Sequence, residues 1–125
     1  LACRRQLAEG FARAYRAAVM AAESARISPL GFVPDETAAS MLERDVSLKG
    51  HQSKGMDTFE LRSFDVIVNM SGFPFPSSLS RAMTILEWNV DDPYLGNERR
   101  YRKVRDDVEK RVAKLAGSIR TGDTL

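Results

Sequence analysis

Cys3 and Arg4 stand where a helix is about to begin. The stretch from Gln6 to about Arg16 has helical spacing, so the pair lies beside free backbone N–H groups and the positive end of a helix dipole. A guanidinium placed there favours a bound oxyanion. Arg4 could clamp a tetrahedral oxyanion with a bidentate fork that lysine cannot reproduce. Taken singly, Arg4 reads as a solvated first-turn arginine; its placement against the dipole is what argues for an anion. Arg5 reads as a surface residue, with a second clamp as the alternative. Cys3 has two readings, a thiolate activated by the helix start and the two arginines, or a small residue filling space under a loop. Such anion sites lie on a loop between a strand and a helix, so a strand is expected ahead of Cys3.

The second group is Asp91-Asp92-Pro93. A loop carboxylate after a buried strand can act as a general acid when burial or a neighbouring anion raises its pKa. Pro93 restricts Asp92 to extended conformations and so aims its side chain. As an isolated dipeptide, Asp-Pro reads first as a turn with an Asx-type hydrogen bond. His51 is the only histidine, and a lone histidine reads as a structural hydrogen-bond partner before it reads as a base. Ser24 either supports the anion-binding loop or merely ends a strand.

The elements that position these groups follow from hydrophobic spacing. Leu7, Phe11, Ala14 and Ala18 give the first helix one buried stripe. The segment 17–24 is apolar enough for a short buried strand, although its alanines are poor strand formers. Pro34-Asp35-Glu36 starts a helix with Ala38, Met41 and Leu42 on one face and Val46 closing the pattern. A turn at Lys49-Gly50-His51 and a short helix over 58–62 follow. Phe64 to Met70 is β-branched and nearly continuously apolar, as in a parallel strand covered on both faces. Ser77 and Ser78 are placed to cap a short helix after the Gly72–Pro76 loop. Met83 to Val90 reads as a second such strand, with Trp88 and Phe64 as core residues. The residues 91–97 form the loop at its carboxyl end. Tyr101, Val104, Val108, Val112 and Leu115 then mark the strongest helix. Residues 121–125 should fray.

Helices alternating with short apolar strands imply an α/β layered fold with a mostly parallel sheet. Ligands of such sheets bind outside the carboxyl ends of the strands. Both Arg4 and Asp92 belong to that edge. At 125 residues, the chain forms one domain over 1–120 with a short tail. A net charge of +2, with basic residues spread among acidic ones, gives no footprint for nucleic acid. No apolar run of membrane-spanning length is present, no leader pattern is seen, and a single cysteine excludes an internal disulfide framework and a Cys-rich metal site. The expected location is cytoplasmic, with no membrane association, no metal and no cofactor.

At this point the residues resemble a known family. Cys3-Arg4-Arg5-Gln6-Leu7-Ala8-Glu9-Gly10-Phe11-Ala12-Arg13 is similar to the stretch after the phosphate-binding loop of low-molecular-weight protein tyrosine phosphatases and the related thioredoxin-coupled arsenate reductases. Glu23-Ser24-Ala25, Gly50-His51-Gln52-Ser53-Lys54, the Phe64–Met70 strand and Asp92-Pro93-Tyr94 with Gly96-Asn97 match further motifs in the family's order. The resemblance implies a three-layer fold with a four-stranded parallel sheet in the order 2-1-3-4, flanked by helices. It implies a Cys-x5-Arg loop whose first cysteine is the nucleophile and forms a phosphocysteine. Arg4 then matches the loop arginine and Asp92 the general acid. Tyr94 matches a wall of the substrate cleft, Cys3 the second loop cysteine, and Ser24 and His51 the residues that support the loop.

By that alignment the nucleophile would stand three residues ahead of Leu1, and the first, central strand would also lie upstream. About ten further residues are thus implied, one strand plus the start of a loop, or the same strand supplied by another chain. Leu1 stands where the family has a loop asparagine, and Arg5 where it has a serine that stabilises the thiolate. Three readings follow. The first is a hydrolase of phosphotyrosine-like monoesters acting on a phosphorylated protein or an aryl phosphate. The second is a degenerate family member that binds without catalysis. The third is an arsenate reductase, for which the resemblance implies two further cysteines after the third strand; 70–80 has none. An unpaired central sheet edge would favour strand exchange or a homodimer.

Overall fold

The computed structural model describes residues 2–16, 18–24, 35–49, 61–75, 77, 81, 83–94, 96–123 and 125. The first helix, α1, spans Ala2–Tyr15. It begins four residues earlier than the apolar spacing predicts, because Ala, Arg and Gln are good helix formers and nothing between 2 and 6 breaks the helix. Leu7, Phe11 and Ala12 are its buried stripe. Ala14 and Ala18, which the spacing assigned to that stripe, are exposed.

The next helix, α2, spans Asp35–Leu42, and its acidic first turn complements the helix dipole. Its inner face is Thr37, Ser40 and Met41, whereas Leu42 is 60% exposed. The face is therefore rotated from the expected one: Ser40 enters the interior because its hydroxyl donates to the Thr37 carbonyl, at 2.9 Å. Asp45, with a φ of 58°, turns the chain so that the Val46 N–H returns to the Met41 carbonyl at 3.0 Å. That reversal delivers Val46 and Leu48 to the core.

After a 3₁₀ turn at Leu61–Ser63 come strands β1 (Val66–Asn69) and β2 (Thr84–Glu87). They pair in parallel, with Val66 opposite Thr84 and Asn69 opposite Glu87. The Trp88 N–H donates to the Asn69 carbonyl at 2.9 Å and carries the pairing to the carboxyl edge. β1 is half-buried along most of its length rather than covered on both faces. Among the described residues the sheet has these two strands. They are neighbours, as the third and fourth strands of the implied order would be.

Residues 20–24 form no strand. Among the described residues nothing runs beside them to complete a ladder. Side chains hold them instead: Arg13 Nε donates to the Ala22 carbonyl at 3.2 Å. The last helix, α3, spans Glu98–Thr121. Asn97 caps its start by accepting the Arg100 N–H, and Gly122 closes it with a left-handed φ of 75°. Tyr101, Val104, Val108 and Val112 are buried as the spacing requires, and Ala116 rather than Leu115 continues the stripe. α1 packs against α2 and α3, α2 also packs against α3, and Val90 from the segment that follows β2 enters the same core. Among the described residues no helix is long and apolar enough to cross a membrane.

Candidate active site

Arg4 occupies the first turn of α1, and its Nη1 donates to the Val90 carbonyl at 2.9 Å across 86 residues of sequence. Its Nε is buried and has no hydrogen-bond partner among the described residues. One side of the guanidinium is thus spent on orientation, and the other carries a desolvated donor. A buried N–H without an acceptor is costly, and an anionic oxygen is a partner that suits it.

Val90 is 2% exposed, which anchors the chain as it leaves β2. Two residues later comes Asp92, half-buried, followed by the fully buried Pro93. Asp92 Oδ1 accepts the Tyr94 N–H at 3.0 Å, the Asx turn expected of an Asp-Pro dipeptide. The Gly96 N–H donates to the Pro93 carbonyl at 2.7 Å. A Cβ at Gly96 would lie 2.8 Å from that carbonyl oxygen, so the turn needs glycine there. Tyr94 is 40% exposed. Arg4 and Asp92 are therefore brought to one edge of the sheet, through Val90.

Ser24 is placed beside α1. Its hydroxyl accepts from Arg5 Nη1 at 2.9 Å and donates to Glu9. Glu9 in turn pairs with Arg13 at 3.0 Å, and Arg13 with Glu23 at 3.0 Å. Arg5 is only 6% exposed and Glu9 7%, which corrects the surface reading of Arg5. A guanidinium is tolerated inside because a hydroxyl and a carboxylate chain satisfy it. Arg5, Glu9 and Arg13 recur every four residues, and this i, i+4 alternation of charge was the signal that marks them in the sequence. Cys3 lies in the first turn of α1, not in a loop before it. His51 lies outside the described residues. Among the described residues no group of three or more His, Cys, Asp or Glu is placed to hold a metal ion.

A second charged cluster ties the end of α2 to α3. Arg102 grips Glu43 with Nε and Nη2, at 3.0 and 2.8 Å. The buried Arg105 donates to the Ser40 carbonyl, to Glu43 and to Asp106. The hydrogen bond from Arg102 does most to lower the Glu43 carboxyl from 4.5 to about 2, with Arg105 adding to it against desolvation. For Asp106, burial pushes the carboxyl up, yet hydrogen bonds from Arg44 and Arg105 hold it below its usual value. A cavity of about 380 Å³ opens beside this cluster, walled by Ser40, Glu43, Gly96, Asn97 and Tyr101 among others. Neither Arg4 nor Asp92 is among the residues that line it.

Comparison with known proteins gives this arrangement a lineage. A family model described as low molecular weight phosphotyrosine protein phosphatase matches residues 2–124. A glutaredoxin arsenate reductase of Synechocystis is 29% identical over 125 residues, spanning 94% of this chain and 90% of the relative. A putative arsenate reductase of Halobacterium salinarum is 27% identical over 95 residues, 76% of this chain and 66% of the relative. Among solved structures, an arsenate reductase in its phosphate-binding state superposes with a TM-score of 0.86 at 28% identity, covering 94% of this chain and 91% of that one. The YwlE arginine phosphatase with a phosphorylated active-site serine shares the fold, with a TM-score of 0.81 at 22% identity over 95% of this chain and 90% of its own.

Proposed function

This chain belongs to the low molecular weight phosphotyrosine protein phosphatase family, and from that premise we propose that it hydrolyses phosphomonoesters of the phosphotyrosine type. Arg4 holds the phosphoryl oxygens. The thiolate of a cysteine three residues ahead of Leu1 attacks phosphorus and forms a phosphocysteine. Asp92 gives its proton to the departing phenolate, then takes one from the water that releases phosphate and restores the thiolate. The observation that supports this reading best is the Arg4–Val90 hydrogen bond, which ties the anion-binding guanidinium to the strand end that leads into Asp92. No cofactor is needed for these steps.

A second reading draws on the relatives, which are named arsenate reductases. By the family resemblance, that chemistry uses two more cysteines after the third strand. Cys3 is the only cysteine in these 125 residues, so the thiols would have to come from a separate reductant or from residues ahead of Leu1. A third reading, binding without catalysis, draws on Arg5. It stands where the resemblance places a hydroxyl, and its guanidinium is engaged with Ser24.

The test is release of phosphate from phenyl phosphate by the protein with the residues ahead of Leu1 in place. The expected result is turnover. No turnover with the Cys-x5-Arg loop intact contradicts the proposal. Thiol-dependent reduction of arsenate in the same preparation would then support the second reading, and tight phosphate binding alone the third.

A further inference from the structure

Phe73 is an apolar ring held in water. It is 71% exposed, more than any other large hydrophobic residue among those described. Such a ring is usually left on a mobile surface or folded inward. Here the backbone beneath it is tied down. Asn69, at the end of β1 and 5% exposed, donates from Nδ2 to the Phe73 carbonyl at 2.6 Å. Asn69 Oδ1 accepts from the Ser71 N–H at 3.0 Å and from the Ser71 hydroxyl at 2.7 Å. The Ser71 hydroxyl oxygen accepts the Phe73 N–H at 3.1 Å. Gly72, with a φ of 82°, supplies the left-handed step that this tight loop requires.

The loop leaves the carboxyl end of β1, and the Asp92 loop leaves the carboxyl end of β2, its parallel neighbour. Adjacent strands lie about 4.8 Å apart, so the two loops rise side by side from one edge. Each presents an exposed aromatic, Phe73 and Tyr94. Arg4 reaches the same edge through Val90. A polar anchor buried under an exposed ring is arranged to present that ring, and among the described residues Arg4 and Asp92 are the groups at this edge to which the proposed function gives a chemical role.

We propose that Phe73 determines specificity at this site by packing against the aryl group of a phosphorylated substrate while Arg4 holds its phosphoryl group. The inference rests on the function proposed above and adds the residue that reads the organic half of the ester. Aromatic contacts of this kind are worth a fivefold to tenfold change in affinity, as an order of magnitude of about 1 kcal/mol.

The experiment compares unaltered protein with Phe73→Ala and Phe73→Trp, again with the residues ahead of Leu1 in place. Three probes are used: phenyl phosphate, methyl phosphate, and inorganic phosphate as a competitive inhibitor. Phe73→Ala should raise KM for phenyl phosphate about fivefold to tenfold, leaving kcat, the KM for methyl phosphate and the Ki of inorganic phosphate unchanged. Phe73→Trp should keep the unaltered KM for phenyl phosphate. Equal shifts for all three probes would make Phe73 a structural residue and overturn the inference. So would no shift for any probe in a protein that turns over phenyl phosphate, with the proposed function left standing. An unaltered protein that neither binds inorganic phosphate nor hydrolyses phenyl phosphate overturns both.

Discussion

Arg4 commits Nη1 to the Val90 carbonyl and carries a buried Nε with no partner among the described residues, so in the proposed function its geometry matters more than its charge. Arg4→Lys keeps the charge but loses the planar fork. It should lower kcat/KM for phenyl phosphate by about a hundredfold or more, and an unchanged kcat/KM would remove Arg4 from the site. Asp92→Asn keeps an acceptor for the Tyr94 N–H, so the loop should stay folded. It should lose about a hundredfold to ten-thousandfold in kcat with little change in KM; circular dichroism checks that the fold is intact. Arg4 was singled out in the sequence because a cation at a helix start runs against the dipole and asks for an anion. The interior place of Arg5, its neighbour, was not legible there. The same residue type one position on turns toward Ser24 and becomes interior, and only the i, i+4 alternation with Glu9 and Arg13 hints at that.

Among the elements, α2 and α3 are joined by ionic contacts whose strength depends on pH. The Glu43 carboxyl is lowered from 4.5 to about 2, first by its hydrogen bond from Arg102. A lowered carboxyl stabilises the fold fully above its unfolded pKa, and the contribution disappears as pH falls through the folded one. The thermal midpoint of the unaltered protein should therefore exceed that of Glu43→Gln above about pH 4.5, and the gap should close toward pH 2. A gap that is constant across that range would contradict the ion-pair account. Gly96 sits just ahead of the Asn97 cap at the start of α3. In Gly96→Ala the new methyl meets the Pro93 carbonyl at 2.8 Å, a backbone atom that cannot swing away. The Asp92 turn must shift, and kcat should fall along with a loss of stability of about 1–3 kcal/mol, read from urea unfolding and steady-state rates. β1, β2 and α3 were legible because β-branched runs and a helical stripe carry their own period. The residues 20–24 were not, because a strand is a property of two segments and the alanines there show no preference. The inner face of α2 was misjudged for a related reason: Ser40 is buried with its hydroxyl donating to the Thr37 carbonyl, which hydropathy does not register.

Across the whole molecule, the first turn of α1 and the segment that follows β2 converge on one sheet edge, joined by a hydrogen bond that spans 86 residues. That convergence was legible from topology, since ligands of parallel sheets gather at the carboxyl ends of strands. The Phe73 loop at the same edge was not, because nothing in Gly-Phe-Pro-Phe-Pro distinguishes an exposed aromatic from a buried one; the Asn69 anchor decides it. The central claim is that Arg4 and Asp92 act together on a phosphoryl group. It is tested most directly by steady-state hydrolysis of phenyl phosphate with the residues ahead of Leu1 in place, in unaltered, Arg4→Ala, Asp92→Ala and doubly substituted protein. Residues that act as one unit are non-additive. The double variant should therefore lose little more kcat/KM than the worse single variant, and each single variant at least about a hundredfold. Single variants that keep the unaltered rate, or no hydrolysis by the unaltered protein, would contradict it.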